Sequence, residues 1–77
     1  MNEQIMAMLA ELRPEFDFVE SNDFVMDGLL DSFDIVSLTN MLEEKYSITI
    51  DGLDIVPENY SSVDAIANLV KKSGKKA

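Results

Sequence analysis

The pattern of apolar residues predicts an all-α fold: a small four-helix bundle with three longer helices, a short third helix, and a long ordered loop between helices one and two. Two observations carry this. Apolar residues recur at helical spacing in three separate stretches. The best candidate for a strand is two isoleucines, Ile48 and Ile50, whose brief alternation suits an extended loop better. The chain also has no cysteine, so apolar packing has to hold the fold without disulfides.

The first helix is expected over about residues 2–13, where Ile5, Met8, Leu9 and Leu12 form one stripe and Pro14 bounds it. Residues 14–31 follow as a connection carrying Phe16, Phe18, Val19, Phe24, Val25, Met26, Leu29 and Leu30, so it is expected to pack on the core. A long ordered loop in so short a chain is unusual and often functional. Gly28 marks a turn at its end. The second helix is expected from Ser32 or Phe33 to about Tyr46, with Ile35, Leu38, Thr39, Leu42 and Tyr46 on one face and a central place in the bundle. Asp31 suits its N-cap, with Asp34 three residues on as an acidic variant of the capping box. Pro57 opens a short helical turn through Tyr60. Ser61 or Ser62 then caps a last helix with the stripe Val63, Ile66, Ala67 and Val70, ended by Gly74. One domain over residues 1–77 is expected, packed over about 3–70, with a basic flexible tail at 73–77.

Composition removes several functions. Apolar residues make up 47% of the chain, enough for a globular core, while no stretch approaches the ~20 apolar residues of a membrane helix. Fifteen acidic residues stand against two basic ones, Arg13 and Lys45, in residues 1–70, a formal −13. Such a surface repels nucleic acid and anionic membranes and suits partners with basic docking patches, although acidity also serves plain solubility. A cytoplasmic, soluble monomer is the expectation. The chain has no histidine, so the usual general base is missing and a serine nucleophile would lack its partner. With no deep pocket expected to raise a carboxyl pKa, catalysis by this chain alone is not expected. The Asp51-Gly52-Leu53-Asp54 run lacks the alternating oxygen ligands and terminal glutamate of a calcium loop, and no metal site is expected.

What remains is Ser32, exposed by its position in the first turn of the second helix between Asp31 and Asp34. A phosphodiester there would meet backbone N–H groups and the positive end of the helix dipole, with the two aspartates opposing it. An Asp-Ser pair at a helix start is also ordinary capping, and those two residues alone favour that simpler reading.

The wider pattern changes the balance. The run Leu30-Asp31-Ser32-Phe33-Asp34-Ile35-Val36-Ser37-Leu38, then Leu42-Glu43-Glu44-Lys45-Tyr46, resembles the signature of acyl carrier proteins, in which an Asp-Ser-Leu or Asp-Ser-Met triplet opens the second helix. Pro57-Glu58-Asn59-Tyr60-Ser61-Ser62-Val63-Asp64-Ala65-Ile66 is similar to the family's short third helix and the start of its fourth. The resemblance spans about residues 3–70. It implies that a phosphopantetheinyl transferase moves 4′-phosphopantetheine from coenzyme A onto Ser32, with Asp31 contacting that enzyme and its magnesium. The arm's thiol would then carry an acyl or aminoacyl group as a thioester, handed between enzymes of fatty-acid, polyketide or related lipid biosynthesis. Phe33, Asp34, Ser37, Asn40, Met41 and Glu44 look like the docking positions, Phe33 exposed and Met41 as readily core as surface. Ile35, Val36 and Leu38 are expected in the core. Ser37, Asn40 and Lys45 stand where the general fatty-acid carrier has glutamate, methionine and an acid, and Tyr46 to Val63 is about two residues longer than the common pattern. Gly28-Leu29-Leu30-Asp31-Ser32 looks closer to specialised stand-alone carriers, including those for D-alanine. The resemblance thus leaves an acyl cargo first and an amino acid second. An acidic helical interaction module without cofactor is the reading from another class, and a carrier fold kept only as a structural subunit is the third.

Overall fold

The computed structural model describes residues 1–74. Three α-helices run through it: α1 (Asn2–Leu12), α2 (Ser32–Tyr46) and α3 (Val63–Gly74), joined by 3₁₀ turns at Phe18–Glu20, Gly52–Asp54 and Pro57–Tyr60. There is no strand among the described residues. No helix there is long and apolar enough to cross a membrane.

The all-helical expectation holds, but the short third helix forms as a 3₁₀ turn and not as an α-helix, so three α-helices stand where four helices were expected. Pro57–Tyr60 is a single 3₁₀ turn with Pro57 in its first positions. Four residues are too few to propagate i→i+4 bonds, and the serines that follow compete for the backbone. The Ser61 hydroxyl donates back to the Glu58 carbonyl, and the Ser62 hydroxyl accepts from the Ala65 N–H to start α3 instead. The expected tail needs a second correction. Ser73 and Gly74 belong to α3, because its apolar stripe runs on through Leu69 and Val70 and carries Ser73 into the interior. Residues 75–77, where the rest of that tail was expected, lie outside the described residues.

The core gathers Ile5, Met8 and Leu9 from α1, Ile35, Leu38 and Leu42 from α2, and Ile66, Ala67, Leu69 and Val70 from α3. The connection from α1 to α2 adds Phe18, Phe24 and Leu30. Phe18 and Phe24 meet edge to face with ring centroids 5.0 Å apart, the arrangement their quadrupoles favour. Val19 and Met26 of the same connection point outward, and Phe16 lies at its exposed edge. The connection is held by its own hydrogen bonds. The Asp23 carboxylate accepts from Val25 and Met26 N–H, and the Phe24 carbonyl accepts from Leu29 and Leu30 N–H. The Phe24 N–H reaches the Ser61 carbonyl at 2.8 Å, tying the connection to the turn before α3. Gly28, at φ 78°, closes this turn in a conformation that a side chain would strain. Ser32 is therefore presented from a braced platform.

The central position expected of α2 goes to α1, which lies closely against both α2 and α3. Tyr60 links α2 to the turn before α3. Its side chain is fully buried, its turn packs on α3, and its hydroxyl hydrogen-bonds Thr39 on α2.

Candidate functional site: the start of helix α2

The start of α2 is built by two aspartates. Asp31 is the N-cap: its carboxylate accepts from the Asp34 N–H at 2.9 Å, while the Asp34 carboxylate accepts from the Asp31 N–H at 3.1 Å. This reciprocal pair satisfies two amides that a helix end leaves orphaned. Arg13, immediately after α1, clamps the pair from outside the helix. Its Nε donates to Asp34 Oδ2 at 2.9 Å, and its two terminal nitrogens lie 3.4 Å from Asp31 and 3.5 Å from Glu15. The hydrogen bond to Asp34 raises the guanidinium pKa still further. The Asp34 N–H, donating to it, holds the Asp31 carboxyl below its ordinary range, and Arg13 adds to that effect against the opposing influence of desolvation.

Ser32 is the first residue of the helix proper and is exposed. Its hydroxyl makes no hydrogen bond among the described residues, since the capping work is done on either side of it. The phosphate environment differs from expectation in one respect. The Asp34 N–H is already engaged by Asp31, so the first turn does not offer a full set of free amides, and a phosphate on Ser32 would project into solvent. The exposed hydroxyl, with Arg13 partly neutralising the flanking aspartates, fits such an attachment.

Among the expected docking residues, Phe33 is 83% exposed, and Ser37, Asn40 and Glu44 follow on the same outward face at helical spacing. Met41 is half-buried and, with Met8 and Ala7 of α1, lines an open groove between α1 and α2. Asp34 does not belong to this face. It is 7% exposed because the third position of a capping box turns its carboxylate back over the helix end and onto Arg13. Val36 is corrected in the other direction. It is 56% exposed, one position off the buried stripe of Ile35, Leu38, Thr39 and Leu42, and stands one turn along from Phe33.

Sequence reasoning missed the role of Arg13, although a signal was present: a lone arginine at a helix end in so acidic a stretch was bound to find carboxylates. It also missed the Thr39–Tyr60 hydrogen bond, for which spacing along the chain gives no signal. Comparison with protein-family models, with curated proteins and with solved structures finds no match.

Proposed function

We propose that this chain is a carrier protein, not an enzyme, which bears 4′-phosphopantetheine on Ser32 and shuttles thioester-bound acyl groups between partner enzymes. One observation supports this above the others: the Asp31–Asp34 capping box leaves Ser32 with no structural task, exposed and unbonded at the start of α2. If Ser32 were there for capping, its hydroxyl would hold a backbone N–H. The serine before α3 does just that.

Within the reading, Ser32 needs no activation by its own chain. Its hydroxyl gives up a proton to a base of the phosphopantetheinyl transferase as Oγ attacks phosphorus in the diphosphate of coenzyme A. The Oγ–P bond forms, the P–O bond to the adenosine bisphosphate half breaks, and that half leaves. Asp31, whose carboxylate stays largely exposed and ionised, would meet the transferase's magnesium, as the resemblance implies. Once attached, the arm supplies the thiol that this cysteine-free chain lacks. Phe33 and Val36 serve as apolar anchors in an acidic rim that includes Glu44, a surface for rapid and reversible docking on basic partner patches in the cytoplasm.

Incubation with coenzyme A, magnesium and a broad-specificity phosphopantetheinyl transferase is expected to add one phosphopantetheine mass to the wild-type chain. Ser32→Ala is expected to remove the addition and keep the helical circular dichroism. An unmodified wild-type chain beside a modified control carrier contradicts the proposal and favours the cofactor-free interaction module.

A further inference from the structure

We infer that the cargo of this carrier is a short, hydrophilic acyl group, a class that includes aminoacyl groups, which stays in solvent at the end of the arm and does not enter the bundle. The inference rests on the carrier reading and deepens it. Its basis is the Thr39–Tyr60 pair. To be sheltered along the buried face of α2, a long acyl chain would have to part α2 from what packs on it, and Tyr60, at 0% exposure and bonded to Thr39, is part of that packing. Tyr60 sits on the turn packed against α3, and its hydroxyl is joined to Thr39 Oγ1, which also donates to the Ile35 carbonyl at 2.7 Å. Around them Leu38, Leu42 and Ile66 are fully buried, so the interior is filled by close packing.

Letting in an alkyl chain would separate these two hydroxyls: Thr39 would keep its bond to the Ile35 carbonyl, but the Tyr60 hydroxyl would be left among apolar atoms without a partner. The loss of a buried hydrogen bond to an apolar guest is costly, because the Tyr60 hydroxyl, at 0% exposure, cannot turn to water instead. Burial also pushes the Tyr60 phenol pKa upward, in keeping with a dry surrounding. The open groove between α1 and α2 offers no substitute. Gln4, Glu11, Asn40, Glu44 and Lys45 line it together with Ala7, Met8 and Met41, a mixed wall that an alkyl chain would desolvate without compensation. A short hydrophilic group loses nothing by remaining in water.

The test loads Ser32, through the transferase, with arms ending in acetyl, alanyl and octanoyl thioesters, and compares their thermal unfolding. All three are expected to melt within about 2 °C of one another, because no methylene is buried. A rise of about 10 °C or more from acetyl to octanoyl would show the chain entering the core and overturn the inference. The double variant Thr39→Val, Tyr60→Phe keeps the packing volume and removes both hydroxyls. In it the octanoyl form is expected to gain melting temperature over the acetyl form, and an unchanged spacing would deny the polar pair its role. If the double variant does not fold, slowed amide exchange at Leu38 and Ile66 in the octanoyl wild type gives the contrary result independently. Failure of the carrier reading looks different: the wild-type chain then accepts no arm at all, and both proposals fall.

Discussion

Serine stands at the start of both α2 and α3, one residue inside the first helix and one residue before the second. At α3 the Ser62 hydroxyl accepts the Ala65 N–H at 3.1 Å and the Ser62 carbonyl accepts the Ile66 N–H at 3.0 Å, so the residue is spent on making the helix begin. At α2 the same work is done by Asp31 and Asp34, with Arg13 holding both, and Ser32 is left with its oxygen facing water. A shift of one position therefore separates a serine that the fold uses from a serine that the fold merely displays. Residue type says little about function here. The hydrogen bonds a residue does not make say more.

The largest effect expected from this contrast is on modification. Ser32→Ala should lose phosphopantetheine transfer completely while its stability stays within about 0.5 kcal/mol of wild type, as for a surface residue without bonds. Intact mass and thermal melting check the two halves of that expectation. Asp34→Ala should show the reverse balance, losing about 2 kcal/mol and melting about 10 °C lower, since it removes half of the capping box and leaves Arg13 without its closest partner. Ser62→Ala should cost about 1 kcal/mol, or about 5 °C, with modification at wild-type speed. If Ser62→Ala slowed transfer as much as it lowered stability, the two helix starts would not be separable.

Smaller effects bear on the charges around Ser32. Glu44→Lys should slow modification by about three-fold at low salt and flatten its salt dependence, because steering by opposite charge is screened by ions. Asp31→Asn tests the acid side of the cap. Asparagine caps as well as aspartate, so the helix start is retained while a titrating group is removed. The Asp31 pKa is lowered in the folded state, so its contribution to stability is present above its ordinary value of 3.8 and is lost as pH falls through the folded value. The drop in melting temperature below pH 3.8 should therefore be slightly smaller in Asp31→Asn than in wild type. An equal drop would assign the acid sensitivity to other carboxylates.

The helices were legible because their signals are local. Periodicity located α1 and α2 to within a residue, and the Asp31-x-x-Asp34 spacing anticipated the capping box. What escaped was set partly by contacts between distant parts of the chain and partly by the angle of single residues around α2. Asp34 read as an exposed acid on a recognition helix until Arg13, twenty-one residues away, drew its carboxylate inward. Val36 read as core because valine is apolar, whereas its angle around α2 places it beside Phe33 in solvent. Tyr60 and Thr39 are also twenty-one residues apart, and no spacing rule connects a turn residue to a threonine whose hydroxyl donates to the Ile35 carbonyl one helical turn back. Their pairing joins α2 to the turn before α3. For the candidate site, the position of Ser32 could be read from the chain, but its freedom from hydrogen bonding could not.

Fragment mass spectrometry of the wild-type chain after transfer from coenzyme A weighs the displayed serine against all the others. A single phosphopantetheine confined to Ser32, with Ser62, Ser61 and Ser37 unmodified, is the expected result. A chain that stays bare beside a modified control carrier, or one that takes the group on a different serine, would contradict it.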